Sequence, residues 1–266
     1  MKFEDYIKSE DALFHYTKKS VLFKHILPSM KLRLSPFLKT NDPREYKEWL
    51  YDEWAFGGKV EFNTHKKTEA EIRLNDLRRN KSKVACFCSN IDFNHLYYFK
   101  KKIINHYGYE KSRMWSQYGE DHSGICLVLS KEKIENKVNS ISNQDIQCFK
   151  KIIEYKKMRR LDFPNLQTNK LSRMNIEEFC KFVIQSQQKN IYFIKDIDYI
   201  DESEYRIVIL SEEEDYFHLD ITMCLEGIIA GDNFPDKDKS LLYNIKKQYS
   251  IRKIKYDRGN YNIVEI

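Results

Sequence analysis

Hydrophobic and polar residues alternate with a period of two in several short segments of the chain, separated by segments of helical spacing. This alternation is typical of β-strands, because successive side chains point to opposite faces. The clearest example is residues 201–210, where Glu202, Glu204 and Arg206 fall on one predicted face and mainly apolar residues on the other. The pattern predicts a strand that begins with two carboxylates and a guanidinium.

The same patterns predict the remaining elements. Further strands are predicted at 13–17, 32–37, 83–89, 125–129, 146–155, 217–219, 224–231, 251–256 and 261–266, and helices at 18–27, from 44 onward, and at 68–83, 112–119, 175–190 and 236–249. Residues 130–144 are polar, and no element is predicted there. Strands and helices alternate unevenly, which favours the α+β class. We expect a single domain over 1–266, with helical insertions at about 44–82, 90–118 and 170–195.

Composition agrees with a packed domain. The 266 residues are 41% hydrophobic, 14% aromatic and 32% charged, which is enough apolar material for a large core. No apolar run approaches the roughly 20 residues of a membrane span, and the first residues lack a signal-peptide pattern, so we expect a cytoplasmic protein without membrane contact. The six cysteines lack zinc-ligand spacing, so reduced thiols and no bound metal are expected.

Four polar clusters lie near the ends of predicted strands, where clefts commonly form. They are His15 with Thr17, the turn at Asn41-Asp42-Pro43, the segment 114–124, and the Glu202/Glu204/Arg206 group. Common nucleotide and hydrolase motifs are missing: no G-x-G-x-x-G, Walker A, G-x-S-x-G or H-E-x-x-H pattern occurs. These clusters are therefore the candidates for a site.

Each cluster also has an ordinary structural explanation. His15 would be a hydrogen-bonded core histidine, and Asn41-Asp42-Pro43 a helix cap and turn. Trp115 and Tyr118 would be core aromatics, and Arg206 would pair with Glu202 or Glu204. Both explanations remain open for each cluster at the level of sequence.

The motifs, in their order along the chain, resemble those of the bacterial DUF2971 family, which has no known function. The segments that carry the resemblance are Phe14-His15-Tyr16-Thr17, Leu32 to Ser35, Asn41-Asp42-Pro43-x-Glu45, Cys86-Phe87-Cys88, Met114-Trp115-x-x-Tyr118, Gly124 and Glu202-x-Glu204-x-Arg206.

A second resemblance concerns chemistry. A strand with His-x-Thr, then a short helix, a strand with Ser35 and much later a Glu-x-Glu strand is similar to the ADP-ribosyltransferase arrangement. The resemblance implies a split β-sandwich that binds NAD⁺ as its substrate. It also implies contacts to NAD⁺ from His15, Tyr16, Thr17, Ser35, Trp115, Tyr118 and Arg206, with one of the aromatic residues stacking on nicotinamide and Arg206 pairing with a carboxylate or reaching the pyrophosphate. Asn41 and Asp42 are candidate NAD⁺ contacts because their turn lies near a strand end, and the transferase arrangement assigns that turn no role.

The residue types suit this chemistry. Loss of nicotinamide leaves an oxocarbenium-like ribose, which a nearby carboxylate stabilises. We therefore expect three catalytic residues. Glu204 would stabilise the charge on the ribose, Glu202 would orient or deprotonate the acceptor, and His15 is the third. The acceptor of ADP-ribose would be a nucleic acid or a protein, or water if the protein is an NAD glycohydrolase. The resemblance also implies a bacterial toxin or anti-phage effector whose activity a partner regulates.

Two other hypotheses remain. The net charge of +6 and the aromatic and lysine residues of 97–109 are compatible with a non-catalytic nucleic-acid-binding or regulatory module. A nuclease would hold its metal with Asp42, Glu45, Glu202 and Glu204, although the sequence lacks the accompanying Asp/Glu-x-Lys signature.

Overall fold

Ten strands pair into one large mixed sheet that organises the fold. The computed structural model describes residues 1–54, 64–90, 107–143, 145–157, 164–212 and 215–266. The strands are β1 Ala12–Thr17, β2 Lys31–Pro36, β3 Asp52–Trp54, β4 Ser82–Ser89, β5 Ile125–Ser130, β6 Gln147–Ile152, β7 Glu154–Lys156, β8 Asn165–Gln167, β9 Ile194–Asp196, β10 Glu204–Leu210, β11 Phe217–Asp220, β12 Leu225–Ala230, β13 Ser250–Asp257 and β14 Asn260–Val264.

Helices precede and separate the strands along the chain. They are α1 Phe3–Tyr6, α2 Lys19–Val21, α3 Leu27–Ser29, α4 Pro43–Tyr46, α5 Thr64–Asp76, α6 Ser112–Gln117, α7 Lys131–Ile141, α8 Thr168–Leu171, α9 Ile176–Tyr192 and α10 Lys239–Ile245. Leu22–Ile26, between α2 and α3, and Leu77–Lys81, after α5, are π-helical, and three short 3₁₀ segments lie at Phe37–Lys39, Ile197–Glu202 and Asp236–Asp238.

The sheet divides at β4. The strand order is β11-β2-β4-β1-β5-β12-β13-β14, while β10 pairs with the other edge of β4 and is followed by β6. On the first edge, β2 pairs with β4 at Lys83 and Val84, and β1 pairs with it at Cys88 and Ser89. Between these points, no described strand pairs with that edge. The strands β1 and β2 therefore leave a gap, which is where a cavity forms.

The alternation of β4 and β10 sorts their side chains into separate environments. On one face, Ala85 and Phe87 of β4 and Tyr205, Ile207 and Ile209 of β10 belong to the largest apolar cluster. On the other face, two smaller apolar clusters lie apart, one around Val84 and Val208 and the other around Cys88. The polar side chains of Cys86, Glu204 and Arg206 lie between them, so the apolar interior is interrupted on this face.

The large mixed sheet with surrounding helices confirms the mixed α/β character predicted from the sequence. Most predicted strands and helices are present within a few residues of their expected ends. The insertion predicted at 90–118 falls in part on residues 91–106, and the one at 44–82 in part on 55–63, both outside the described residues. No described helix has the length and apolar character needed to span a membrane.

The structure differs from the predicted elements at two places. The polar segment 130–144 contains α7, which Ser130 caps by accepting a hydrogen bond from the Lys133 N–H, and which buries only Ile134 and Val138. Two apolar positions one turn apart are enough when the core supplies the rest of the packing. The strand predicted to start before Glu202 begins at Glu204 instead, because a 3₁₀ segment occupies Ile197–Glu202.

We predict that Trp115→Ala destabilises the fold. Trp115 is fully buried and its indole N–H donates a 2.8 Å hydrogen bond to the Tyr109 carbonyl, so truncation should cost about 3–5 kcal/mol in the free energy of unfolding. Chemical denaturation measures this loss. The control is Tyr243→Ala, at a half-exposed position, which should change stability by about 0.5 kcal/mol or less. Equal effects of the two substitutions would contradict the prediction.

Candidate functional site

A cavity of about 300 Å³ lies at the gap between β1 and β2. The middle of β4 forms its floor, while β1, β2, the loop after β2 and the segment before β10 form its walls. Its polar lining consists of His15, Arg33, Ser35, Lys39, Thr40, Asn41, Asp42, Glu45, Cys86, Tyr118, Lys195, Tyr199, Glu202 and Glu204. Segments distant in sequence thus meet at one concave surface.

A network of buried charges forms the inner wall of the cavity. Lys195 Nζ lies 2.7 Å from Glu202 Oε2 and 3.2 Å from Glu204 Oε2. Arg206 Nε lies 2.6 Å from Glu204 Oε1, and its Nη2 lies 2.6 Å from Glu45 Oε1. All five side chains are less than 10% exposed. Charges this deeply buried persist only when they are paired, so the network holds its members in fixed positions.

The local backbone explains how Glu202 and Lys195 come together. Lys195 lies in the middle of β9, after which the chain makes the 3₁₀ segment and enters β10 through Ser203, whose φ of 46° is left-handed. This reversal brings Glu202 back over β9. The Glu-x-Glu pair therefore does not lie on one strand face, as the alternation predicted. Both carboxylates still meet, but through Lys195, which lies between them.

The two carboxyls have opposite electrostatic environments. Burial raises the pKa of Glu202, the charge of Lys195 offsets this in part, and the charge of Glu204 adds to it. Burial alone would also raise the pKa of Glu204. The positive charges of Arg206 and Lys195 lower it, and so do hydrogen bonds that Arg206 and the Cys86 thiol donate, so the pKa of Glu204 lies well below its ordinary value of 4.5. Glu204 is therefore held as a carboxylate, while Glu202 takes up a proton more readily than an ordinary glutamate.

His15 reaches the cavity from the gap. Its Nδ1 lies 3.2 Å from the Cys86 carbonyl oxygen, which can only accept a hydrogen bond, so Nδ1 carries the proton. Burial lowers the pKa of His15, and the bond to Cys86 offsets this only in part. The neutral imidazole therefore has an unprotonated Nε2, which is able to accept a hydrogen bond from a ligand.

The loop after β2 contributes a second wall. Asp42 caps α4 by accepting a hydrogen bond from the Arg44 N–H at 2.9 Å, as the ordinary explanation predicted, and it also lines the cavity. Burial and the nearby charge of Glu45 raise the pKa of Asp42. Asn41 donates to the Tyr118 hydroxyl at 3.1 Å, so the phenol ring of Tyr118 is held at the mouth, where 38% of it is exposed.

Three predicted ligand contacts lie elsewhere in the structure. Trp115 is completely buried, edge-on to the Tyr16 ring at 5.0 Å, so it cannot stack on a ligand. Arg206 is 1% exposed and does not line the cavity; it holds Glu204 and Glu45 instead. Thr17 lines a neighbouring cleft rather than the cavity. The other predicted residues, His15, Tyr16, Ser35, Asn41, Asp42, Tyr118, Glu202 and Glu204, line the cavity together.

Sequence patterns missed several residues of the site. Lys195 is the most important, because it joins the two carboxylates, and Tyr199 was also missed. Glu45 was named only in the family motif and for a nuclease, and Cys86 only in the family motif, although both line the cavity. A lysine directly after the apolar residues 191–194 was a usable signal, since a charge next to such a run needs a buried partner. Cys86 gave no such signal, because its neighbours are typical of a buried strand.

The arrangement offers fixed negative charge, a proton-exchanging carboxyl and a neutral imidazole. Cys86 is exposed to the cavity, but the protein that encloses it and the nearby charge of Glu204 raise the pKa of its thiol above the ordinary value, which disfavours a thiolate nucleophile. The four carboxylates named for a nuclease all line the cavity. Over the described part of the chain, however, no three His, Cys, Asp or Glu side chains are arranged to hold a metal ion.

The fold and the site thus define a mixed α/β protein with a charge-lined cavity at a division of its sheet. Residues 114–207 match the model of a family described as a protein of unknown function, DUF2971. This match includes the Met114-Trp115-x-x-Tyr118 and Glu202-x-Glu204-x-Arg206 motifs, and supports that part of the family resemblance. No curated protein and no solved structure matches the chain. An account of function therefore depends on the site itself.

We predict that Glu204→Gln lowers stability in a pH-dependent way. Because the folded-state pKa of Glu204 is lowered, its stabilising contribution is fully present above the ordinary value of 4.5 and is lost as pH falls below that value. The difference in free energy of unfolding between the parent and Glu204→Gln should be largest near neutral pH and shrink in acid. Urea denaturation at a series of pH values measures this difference.

Glu202→Gln is the matched control for this measurement. The folded-state pKa of Glu202 is raised, so its ionised form disfavours the fold above that pKa and the sign of the pH dependence is reversed. The parent should gain stability relative to Glu202→Gln as pH falls. The same pH dependence in both variants would contradict the assignment of opposite environments.

Proposed function

We propose that this protein is an NAD⁺-consuming enzyme of the ADP-ribosyltransferase type, which breaks the bond between nicotinamide and ribose and transfers ADP-ribose to a macromolecular acceptor or to water. The observation that carries the proposal is that His15, Glu202 and Glu204 line one cavity although His15 is far from the two glutamates in the sequence. Enzymes that cleave glycosidic bonds need carboxyl groups at the reacting sugar, and this cavity supplies two.

The opposite environments of Glu202 and Glu204 support a division of roles. Glu204 remains ionised, so it provides a fixed negative charge against the positive charge that develops on the ribose. Glu202 has a raised pKa, which suits a group that removes a proton from the attacking hydroxyl or water. Two carboxyls with pKa values pushed apart are typical of acid–base pairs in active sites.

The mouth of the cavity suits the nicotinamide ring. Tyr118 presents a partly exposed ring, and Tyr199 lines the same cavity with its centroid 4.5 Å from Lys195 Nζ. A pyridinium ring carries positive charge, which favours contact with aromatic faces and with nearby carboxylates such as Asp42. The volume of about 300 Å³ is at the lower end for ligand pockets, so it would take the nicotinamide ribose unit rather than a whole dinucleotide.

His15 and the divided sheet complete the proposal. The unprotonated Nε2 of His15 would accept a hydrogen bond from a ribose hydroxyl, while its Nδ1 stays bound to the Cys86 carbonyl. The gap between β1 and β2 supports the proposed likeness to a split β-sandwich, in which a ligand lies where strands separate. A role as a toxin or anti-phage effector would follow from depletion of NAD⁺ or modification of the acceptor.

We expect the purified protein to release nicotinamide from NAD⁺, and Glu202→Gln to reduce kcat by about 10²–10⁴-fold through loss of acid–base catalysis. Glu204→Gln should reduce kcat by about 10²–10³-fold through loss of the fixed charge. Chromatography of nicotinamide and mass spectrometry of ADP-ribosylated products provide the measurement, and thermal denaturation verifies that each variant is folded.

The control for both variants is Glu265→Gln, an exposed glutamate outside the cavity, which should retain parental kcat and KM. Absence of nicotinamide release by the folded parent, tested with protein and nucleic-acid acceptors and with water, would overturn the proposal. Release that is unaffected by either cavity substitution would overturn the assignment of the two carboxyls.

Tyr118 gives a separate prediction about binding. Tyr118→Phe keeps the ring and loses the hydrogen bond from Asn41, whereas Tyr118→Ala loses both. If the ring contacts nicotinamide, Tyr118→Ala should raise KM for NAD⁺ by about two- to tenfold, the range expected for an aromatic contact, and Tyr118→Phe should change it less. Steady-state kinetics distinguish the two variants, and an equal rise in KM would show that the hydrogen bond matters instead of the ring.

A further inference from the structure

A second cleft, of about 880 Å³, opens beside the cavity. The two share His15, Leu32 and Arg33 in their linings. Along the outward face of β2, Lys31 lines only the cleft, Arg33 lines both, and Ser35 lines only the cavity. At roughly 3.3 Å per strand residue, these positions span about 13 Å. The cleft and the cavity are therefore two ends of one groove.

The cleft is basic. Its lining contains Lys24, His25, Lys31, Arg33 and His218, and no Asp or Glu. All five are exposed to solvent, and on the described part of the chain neither lysine nor Arg33 forms an ion pair. The acid across the strand from Lys31 is Asp220, which binds Lys137 at 2.5 Å. Unpaired charges of one sign in a concave surface create a strong local potential for anions.

The backbone around the cleft adds a second observation. Lys24 and His25 lie on the π-helical stretch Leu22–Ile26, between α2 and α3. Such stretches are rare and occur frequently at functional sites, because they displace side chains from ordinary helical positions. Here the π-helical segment and β2 both line the cleft, so basic groups reach it from two elements.

The groove thus has a carboxylate-rich end and a basic end. A ligand that suits both ends of the groove has a positively charged group and, next to that group, a second group with concentrated negative charge. We infer that the basic cleft binds the diphosphate group of the nucleotide whose glycosyl end occupies the cavity, an inference that rests on the proposed function. Lys24, Lys31 and Arg33 would contact the phosphate oxygens, a role that buried Arg206 cannot take.

The lining favours a small nucleotide over a nucleic-acid strand. Proteins that bind single strands place aromatic rings along the groove so that successive bases can stack. The described lining of the cleft has no Phe, Tyr or Trp, and its apolar members are aliphatic side chains and a proline. Its chemistry therefore matches isolated phosphate groups rather than a chain of bases.

The test uses the double variant Lys24→Glu/Arg33→Glu, which reverses one charge on each wall. Calorimetric titration with inorganic pyrophosphate at low salt should show binding to the parent and at least about tenfold weaker binding to the variant, as expected for the loss of charge-assisted contacts. The matched control is Lys246→Glu/Lys247→Glu, which makes the same change of charge at two exposed lysines near α10 and should bind like the parent.

Lys31→Gln provides a second, milder variant in case the double substitution fails to fold, and it should weaken pyrophosphate binding by a smaller factor. Absence of pyrophosphate binding to the parent, or equal weakening in the control, would overturn the inference. Tighter, salt-dependent binding of a single-stranded oligonucleotide that the double variant abolishes would also overturn it, in favour of a nucleic-acid ligand.

Kinetics with NAD⁺ separate this inference from the proposed function. If the proposed function and the cleft assignment are both correct, Lys24→Glu/Arg33→Glu raises KM for NAD⁺ by at least about tenfold and has a smaller effect on kcat. The reason is that the cleft binds a part of the substrate that does not react. Turnover with an unchanged KM would overturn the cleft assignment and leave the function intact. Pyrophosphate binding without any turnover would support the cleft as a diphosphate site and count against the function.

Discussion

The buried ion pairing of Arg206 with Glu204 and Glu45 is the interaction on which the rest of the site depends. A guanidinium with 1% exposure would be strongly disfavoured without partners, and removal of either partner leaves a buried charge uncompensated. The pairing connects β10 to α4, and Lys195 extends it to the segment before β10. The charges therefore fix the relative positions of these three parts of the chain.

The division of the sheet explains why this network is placed where a ligand could reach it. Along β4, the side chains on one face run from Val84 through Cys86 to Cys88, and only the middle one lies outside an apolar cluster. The edge of β4 at this same point has neither β1 nor β2 beside it. An interruption of the core and an interruption of strand pairing coincide, and together they open a cavity with a polar floor.

Much of the fold was predictable from local pattern. Period-two alternation located β1 and β2 closely, and short apolar runs located β4 and β5, because these strands are buried on at least one face and their composition reflects it. Helix α7 was missed because only two of its side chains are buried, and its polar sequence resembles a loop. The start of β10 was misplaced because a left-handed Ser203 and a 3₁₀ segment have no clear signature in a charged sequence.

The sequence by itself determined which segments become strands and helices, and which polar residues fall near strand ends, because both follow from spacing along the chain. It did not distinguish a residue that lines the cavity from one buried behind it: Glu204 and Arg206 share a face of β10, yet only Glu204 reaches the cavity. It also did not identify Glu202 and Glu204 as the buried partners of Lys195. Only the tertiary structure decided these points, because the pairing and burial of charges depend on which distant segments pack together. The helix and strand propensities of residues and the periodicity of apolar positions contain no information about that packing.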